Sequence, residues 1–260
     1  MNPPQTSNRF LFTVGYDGTA FQGWQVQPGR RTVQGEIEKV FAAFSGGAHV
    51  RPHASGRTDT GVHARGQCAH VDVPIARLDA DRWVHALNGA LPPDIRIYSA
   101  RRVPPDFHAR FDASRKEYRY FIHRHRILPP ELRHYRLREP RRLDLAPMHA
   151  ACRLLTGTHD FTSFSATRGY DETNTVRTLF ELELLEAEDL LTVRAVADGF
   201  LYRMVRQLTG ALLRVGRGEL TLETISDLLA HPRRTAETPS APPQGLFLWK
   251  VHYPEAKLCL

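Results

Sequence analysis

One acidic side chain stands in a segment rich in turn-forming residues, and this segment is the part of the chain best suited to chemistry. It reads SGRTDTGVHA over residues 55–64, with Asp59 near its centre and Arg57 two residues before it. The flanking glycines permit positive φ angles or the close approach of a ligand, and the neighbouring threonines can hydrogen-bond locally. Loops that display a carboxylate beside a strand often carry function. The alternative is an Asx turn in which Asp59 bonds its own backbone, and turn chemistry alone favours that alternative.

Several other kinds of active site find little support in the sequence. There is no Gly-rich phosphate loop, no dinucleotide-binding Gly-x-Gly-x-x-Gly segment and no Gly-x-Ser-x-Gly nucleophile elbow. A glycosidase needs two carboxylates, and the nearest companion of Asp59 in the sequence, Asp72, is too isolated to be assigned as its partner. His63, Cys68 and His70 leave a metal-dependent hydrolase as an alternative, although their spacing matches no standard zinc pattern.

Aromatic residues alternate with arginines in two regions of the chain. The first region contains Phe107, Arg110, Phe111, Arg115, Tyr118, Arg119 and Tyr120, and the second contains Phe200, Tyr202, Arg203 and Arg206. Aromatic rings stack on bases and arginines bind phosphates, so this mixture suits RNA. The alternative is a set of core aromatics with solvated arginines, which spacing alone favours.

Hydrophobic periodicity predicts the elements that must position these residues. Before residue 105 they are a strand over 9–16, a helix capped by Thr32 and ending near Gly46, a strand over 67–73, a helix capped by Asp79 or Asp81, and a strand over 95–103. After it they are a strand around Tyr118, a helix begun by Asp144 and Pro147, a hairpin over 178–196, helices over 201–215 and 222–229, and a last strand over Leu246–His252.

The same kinds of element occur on both sides of Pro104 and Pro105, where we place the boundary between halves over 1–105 and 106–260. This pattern predicts an α+β fold of two mixed or antiparallel sheets, each with helices packed on one face. Residues 124–142 are rich in arginine and proline, and we interpret them as a mobile basic rim.

Composition narrows the class of protein. The chain has 260 residues, of which 42% are hydrophobic and 24% charged, an ordinary globular balance. Its formal net charge is +7 and most of its cations are arginine, which favours phosphate recognition over the alternative of solubility alone. Three widely spaced cysteines, a polar N-terminal segment and the lack of an apolar run long enough to span a membrane predict a soluble cytoplasmic protein.

A series of motifs resembles the tRNA pseudouridine synthase A family over nearly the whole chain. In the first half they are Gly15-Tyr16-Asp17-Gly18-Thr19, Gly23-Trp24-Gln25-x-Gln27, Thr32-Val33-Gln34-Gly35 and Gly56-Arg57-Thr58-Asp59-x-Gly61-Val62-His63-Ala64. They continue as Phe107-His108-Ala109-Arg110-Phe111, Lys116-x-Tyr118-x-Tyr120, Gly157-x-His159-Asp160-Phe161-x-Ser163-Phe164, Phe200-Leu201-x-x-Met204-Val205-Arg206 and Gly245-Leu246-Phe247-Leu248. Thr60 and Gln207 depart from the usual alanine and asparagine, and neither departure implies a change of function.

The resemblance implies an isomerase that converts uridine to pseudouridine at positions 38, 39 and 40 of the tRNA anticodon stem-loop, without cofactor or metal. It implies a homodimer with an active-site cleft between the two halves of the chain. Asp59 matches the catalytic aspartate, Tyr118 the active-site tyrosine and Arg206 the basic partner of Asp59. Arg57 and Arg203 match positions expected to contact RNA. A non-catalytic RNA-binding protein or chaperone remains the alternative.

Overall fold

The computed structural model describes residues 9–73, 78–167, 169 and 174–259, and the chain divides into two compact units. The first unit comprises Met1–Ser114 and Leu248–Leu260, and the second comprises Arg115–Phe247. Residues 1–8, whose polar sequence we interpreted above, lie outside the described residues. The functional division into residues 1–105 and 106–260 stays a prediction.

The first unit is built on antiparallel strands. Its elements are β1 (Arg9–Tyr16), α1 (Val33–Phe44), β2 (His53–Ala54), β3 (His63–Asp72), α2 (Ala80–Ala90) and β4 (Ile95–Arg102). Strand β1 lies between β3 and β4 and is antiparallel to both, and β2 pairs with β3. Phe12 of β1 packs edge-on against Phe41 of α1, and Phe41 packs against Trp83 of α2. These rings join both helices to the sheet.

The helices of this unit begin where the sequence predicts. The Thr32 side chain accepts a hydrogen bond from the backbone N–H of Gly35 at the start of α1. At the start of α2 the Asp79 carboxylate accepts one from the N–H of Arg82. Each cap satisfies a backbone donor that the first helical turn leaves without an intrahelical partner.

The second unit also pairs antiparallel strands with helices. Its elements are β5 (Arg115–His123), β6 (Leu137–Arg138), α3 (Leu145–Leu155), β7 (Gly157–Asp160), β8 (Val176–Ala187), β9 (Leu190–Ala197), α4 (Met204–Gly216) and α5 (Leu222–Ala230). The strand order is β5-β9-β8-β7, and β6 is parallel to β5. Helix α4 is buried on most of its surface because Gly210 and Gly216 let the Pro239 carbonyl and the Met148 side chain approach it closely.

The last elements are β10 (Leu246–His252) and α6 (Glu255–Leu258). From Leu248 onward β10 belongs to the first unit, where it lies beside β3. Within the described residues, short 3₁₀ helices also lie at Pro130–Leu132, Thr162–Phe164 and Pro243–Gly245. None of the helices in the described ranges is both long and apolar enough to cross a membrane.

The α+β prediction is confirmed, although several element boundaries differ from those predicted. Strand β3 starts at His63, four residues early, because it continues directly out of the Asp59 loop. Helix α4 starts at Met204 and not at Leu201, because the left-handed φ of 59° at Arg203 is incompatible with a helix continuing through that residue. Pro147 is the third residue of α3, not the first, because the Asp144 carboxylate caps the N–H of Ala146.

A further difference concerns residues 124–142, which we interpreted as a mobile basic rim. This connector contains a 3₁₀ helix at Pro130–Leu132 and the strand β6, whose Leu137 pairs with Ile122 of β5. The buried side chain of Glu139 follows directly. The connector is therefore attached to the sheet at its C-terminal part.

Candidate active site

Thr58, the residue before Asp59, is fixed by hydrogen bonds through both its side chain and its backbone. Its hydroxyl lies 2.8 Å from the hydroxyl of Tyr16, at the end of β1, and both residues are buried. Its carbonyl accepts a hydrogen bond from the N–H of Trp24 at 3.1 Å. Asp59 itself is half-buried, and Arg57 on the other side of Thr58 is exposed. The acid therefore follows a residue that the core fixes in place.

A tight turn follows Asp59. Its carbonyl accepts a hydrogen bond from the N–H of Val62 at 3.1 Å, and Gly61 within the turn has a φ of +75°, which favours glycine. The turn leads into His63, whose buried ring accepts a hydrogen bond at Nδ1 from the N–H of Gly18. A side chain at Gly18 would collide with the carbonyl of Val62. Glycine is therefore favoured at Gly18, where a side chain would collide, and at Gly61, where φ is positive.

The N-terminal side of the loop is attached to β3. The Ser55 hydroxyl donates to the side-chain oxygen of Gln67 at 2.7 Å, and the Gln67 amide donates to the carbonyl of Gly56 at 2.8 Å. The N–H of Ser55 also donates to the carbonyl of Cys68 at 2.7 Å. Because Ser55 and Gln67 are fully buried, these bonds resist exchange with water and hold the base of the loop.

Motifs that are separate in the sequence converge on this loop. Gly23 has a φ of +84°, and a Cβ at that position would meet the carbonyl of Thr58. The carbonyl of Trp24 accepts from the N–H of Gln34 in α1 at 2.9 Å, and the Gln34 side chain accepts from the N–H of Val26 at 3.1 Å. Tyr16, Trp24 and Gln34 were not predicted as site residues, and their only signal was membership of the quoted motifs.

Tyr118 lies on β5 in the second unit. Its side chain is 8% exposed, and its ring meets that of Phe200 edge-on, with centroids 5.0 Å apart. Tyr120 lies on the same face of the strand, two residues on, and donates its hydroxyl proton to the carbonyl of Pro242 at 2.7 Å. Tyr118 is thus a nearly buried ring packed against a second aromatic ring.

Arg206 lies in the first turn of α4 and is 9% exposed. Its Nε donates to the carbonyl of Ala241 at 2.7 Å, and its own carbonyl accepts from the N–H of Ala241 at 2.9 Å. Burial raises the pKa of Tyr120, and the positive charge of Arg206 opposes that shift. Arg206 is thus a nearly buried cation whose Nε is fixed by a backbone carbonyl.

Arg203 has a left-handed backbone, with φ 59° and ψ 11°, immediately before α4. A residue with a Cβ pays about 1–2 kcal/mol for this conformation, and such strain tends to persist at functional sites. The side chain is exposed, and its guanidinium lies 4.9 Å from the ring centre of Tyr202. The backbone turn thus presents a cation to solvent.

The predicted site residues fall into two groups. Asp59 and Arg57 belong to the first unit, and Tyr118, Arg203 and Arg206 belong to the second. Each group has a supported geometry of its own. Their joint action on one substrate stays a prediction.

The aromatic residues of the two Arg-rich regions have different environments. Phe107 and Tyr120 are core residues, as the alternative interpretation expected. Phe111, in contrast, is 75% exposed, and its ring lies 4.3 Å from that of His108. Phe111 therefore offers an exposed ring on which an RNA base can stack, whereas the rings of Phe107 and Tyr120 are buried in the core.

The structure contradicts the metal alternative built on His63, Cys68 and His70. His63 Nδ1 accepts the Gly18 N–H, and burial raises the pKa of the Cys68 thiol to about 11, which disfavours a thiolate ligand. Among the described residues, the ligand atoms that lie close to those of His70 are on His53 and His108. His63, Cys68 and His70 are therefore not grouped as metal ligands among the described residues.

Comparison with known proteins finds a matching family and similar relatives. The sequence model of the family described as "tRNA pseudouridine synthase" matches residues 13–112 and 151–254. A protein named "tRNA pseudouridine synthase A" from Geobacillus sp. (strain WCH70) is 45% identical over 247 residues, covering 95% of this chain and 99% of that protein. A protein of the same name from Listeria monocytogenes serovar 1/2a is also 45% identical over 247 residues, covering 94% and 99%.

A search of solved structures finds a chain described as "Crystal Structure of a Cbf5-Nop10-Gar1 Complex". It is 14% identical, with a TM-score of 0.34, and the match covers 78% of this chain and 54% of that chain.

Proposed function

The chain belongs to the tRNA pseudouridine synthase family, and from this premise we propose that it converts uridine to pseudouridine in tRNA, with Asp59 as the catalytic residue. The observation that carries the assignment of Asp59 is its loop, where a half-buried carboxylate follows a residue fixed by two hydrogen bonds. The targets we propose are uridines 38, 39 and 40 of the anticodon stem-loop. This finer assignment rests on the resemblance of the motifs.

The reaction suits a site with one carboxylate. The bond between N1 of uracil and C1′ of ribose breaks, and a bond between C5 and the same C1′ forms. The proton on C5 leaves and N1 gains a proton, so the uridine is isomerised and no water is consumed. A glycosidase needs a second carboxylate for its acid–base step, whereas here Asp59 can act at the sugar while the base stays in the site.

The second group of residues supplies the remaining chemistry. We assign Tyr118 to stack on the uracil and to accept or relay the C5 proton. Arg206 is assigned to pair with Asp59, because an opposite charge stabilises a carboxylate. Their support is the edge-on packing of Tyr118 against Phe200 and the hydrogen bond from Arg206 to the Ala241 carbonyl.

Binding the tRNA requires exposed cations. The target uridine must leave its stack, which costs a few kcal/mol, and contacts to phosphates offset that cost. Arg57 and Arg203 are both exposed and flank the proposed catalytic residues in sequence. We assign both to the RNA backbone around the flipped nucleotide.

Release of tritium from tRNA that contains 5-tritiated uridine tests the proposal directly. In the presence of a chelator, the wild-type protein should release tritium, and Asp59→Asn should reduce release below detection while keeping tRNA affinity within about twofold. Asp81→Asn removes an exposed carboxylate of α2 in the same unit and should behave as wild type. Full activity of Asp59→Asn would refute the catalytic assignment, and tRNA binding without release by the wild type would favour the non-catalytic alternative.

We further propose a homodimer that works in the cytoplasm without a cofactor or a catalytic metal. The dimer rests on the resemblance alone, and light scattering after gel filtration measures it. The cytoplasmic assignment is supported by the three cysteines, which are all free thiols, as expected in a reducing compartment. Activity that survives exhaustive chelation would support the metal-independent reaction.

A further inference from the structure

Three potential ligands meet at the end of β5 in the second unit. His123 is the last residue of β5, His125 follows in the connector, and Asp189 lies in the turn between β8 and β9. One ring nitrogen of each histidine and one carboxylate oxygen of Asp189 lie within 4.8 Å of one another. The N–H of Arg124 donates to the carbonyl of Asp189 at 2.7 Å, which holds the turn beside the two histidines.

The hydrogen bond of His123 fixes which nitrogen it can offer. Its Nε2 lies 2.8 Å from the carbonyl of Ile127, and a carbonyl only accepts, so Nε2 carries the proton and Nδ1 has the lone pair. The residue is 4% exposed, and among the described residues nothing hydrogen-bonds to Nδ1. A buried acceptor left without a donor costs about 1–3 kcal/mol, and a bound cation would remove that cost.

His125 can take the form that a metal requires. Its Nδ1 lies 3.2 Å from the N–H nitrogen and 3.4 Å from the carbonyl oxygen of Ile127. In this structure Nδ1 accepts the N–H of Ile127. When the ring proton moves to Nδ1, the ring donates to the carbonyl of Ile127 instead and leaves Nε2 as a ligand. Histidines that bind metals usually donate their other N–H to a carbonyl or carboxylate. The carbonyl of Ile127 can serve both rings in this way.

We propose that His123, His125 and Asp189 bind a divalent transition-metal ion of the zinc type. Two imidazoles and one carboxylate are a common zinc ligand set, with water in the fourth position. Asp189 is exposed and adds the negative charge that the two neutral rings lack. The bound ion would join the connector to the β8–β9 turn, in a structural role separate from the proposed isomerase reaction.

A second histidine cluster shows why proximity alone is insufficient. In the first unit, His53, His70 and His108 also place ligand atoms within 4.8 Å of one another. However, His70 Nδ1 accepts from the N–H of Ala109 and His108 Nδ1 accepts from the N–H of Arg110, both at 3.1 Å. Neutral rings in this arrangement carry their protons on Nε2. Unlike His125, which has the Ile127 carbonyl beside its Nδ1, neither ring has among the described residues a carbonyl that would accept a proton moved to Nδ1. This cluster provides the control.

Titration of zinc chloride into the chelator-treated full-length protein, followed by calorimetry at pH 7.5, tests the proposal. The wild type should bind one zinc ion per chain, and His125→Ala and Asp189→Asn should each weaken binding by more than about tenfold. His53→Ala should bind as the wild type. His125 and Asp189 are exposed, so both variants should fold, which circular dichroism checks.

Zinc should also raise the melting temperature of the wild type and of His53→Ala, because an ion that binds only the folded state stabilises it. That increase should shrink in the other two variants. The proposal is overturned if the wild type binds no stoichiometric zinc, if His125→Ala and Asp189→Asn bind it unchanged, or if His53→Ala is the variant that loses it. Binding is the readout throughout, so failure here leaves the isomerase assignment untouched.

Discussion

We propose that the hydroxyl of Tyr16 positions the catalytic carboxylate without touching the substrate. It lies 2.8 Å from the Thr58 hydroxyl, in a buried pair that joins the end of β1 to the residue before Asp59. A buried hydrogen bond of this kind contributes about 1 kcal/mol to stability. Its larger effect should be on the position of the carboxylate, because small displacements of a reacting group are costly in rate.

Tyr16→Phe should therefore reduce kcat by several-fold to about tenfold and leave the affinity for tRNA nearly unchanged. The free energy of unfolding should fall by about 1 kcal/mol. Single-turnover tritium release at saturating protein, together with filter binding of tRNA, separates the two effects. Tyr98→Phe removes an exposed hydroxyl from the same unit and should change neither quantity. A kcat for Tyr16→Phe equal to that of the wild type would show that the pair does not position Asp59.

For single residues, the sequence singled out Asp59 as a candidate but not the contacts that hold its loop. Asp59 and Arg57 stand out because of their residue types and their flanking glycines. The partner of Thr58 is 42 residues away in the sequence, and no local pattern reports a contact of that separation. The metal alternative at His63 is rejected for a related reason. Spacing along a strand does not show which ring nitrogen already accepts a hydrogen bond, as Nδ1 of His63 does from the N–H of Gly18.

The connector over residues 124–142 is an element whose order depends on one buried acid. The Glu139 side chain accepts from Nε of Arg141 at 2.9 Å and from the Arg217 guanidinium of the α4 C-terminus at 2.9 Å. Burial opposes ionisation of Glu139, but the hydrogen bonds from Arg141 and the charges of both arginines outweigh it and lower its pKa. The ionised acid therefore links the connector to α4.

Glu139→Gln should lower the free energy of unfolding at pH 7 by about 1–3 kcal/mol, a range that allows for the exposure of Arg141. A lowered folded-state pKa adds stability above the ordinary glutamate pKa of about 4.3, and that stability is lost as pH falls through the folded value. The difference between variant and wild type should thus shrink below about pH 4. Urea unfolding at pH 7 and pH 3.5 measures it.

Glu131→Gln is the matched control, because Glu131 is an exposed acid of the same connector. It should change stability by less than about 0.5 kcal/mol at either pH. If Glu139→Gln were as stable as the wild type at pH 7, the ionised side chain would not hold the connector.

Elements with strong local signals were predictable, and those fixed by tertiary contacts were not. Helix α1 combines a capping threonine with apolar residues at helical spacing, so its range Val33–Phe44 matched the prediction. Strand β6 has two residues and exists because Leu137 and Arg138 pair with β5. The start of α4 depends on the left-handed backbone of Arg203, which the helical pattern from Leu201 onward conceals.

At the scale of the whole molecule, the formal net charge of +7 does not show which arginines contact carboxylates and which do not. Arg194, Arg217 and Arg141 each contact carboxylates and neutralise them. In the connector, by contrast, the Arg133 and Arg138 guanidinium groups donate to backbone carbonyls, which leaves their charge uncompensated at those contacts. Composition favoured phosphate recognition, but only the structure distinguishes these two groups of arginines.

Replacement of Arg133, Arg136 and Arg138 together by glutamine should weaken tRNA binding and flatten its salt dependence. Each phosphate contact that is lost should reduce the slope of log affinity against log salt by about 1. The control is Arg82→Gln, Arg101→Gln and Arg233→Gln combined, which removes the same three charges from residues paired with Asp79, Glu255 and Asp227. Filter binding from about 50 to 200 mM salt compares the two triple variants.

The control separates local contact from net charge. If the connector touches the RNA, the first triple variant should lose affinity and slope, and the second should stay close to the wild type, because surface ion pairs are worth little to stability. Equal losses in both variants would mean that long-range attraction from the total charge explains the binding. No loss in the first variant would mean that these arginines are solvated surface residues, and the RNA-binding surface would then be sought around Arg57 and Arg203.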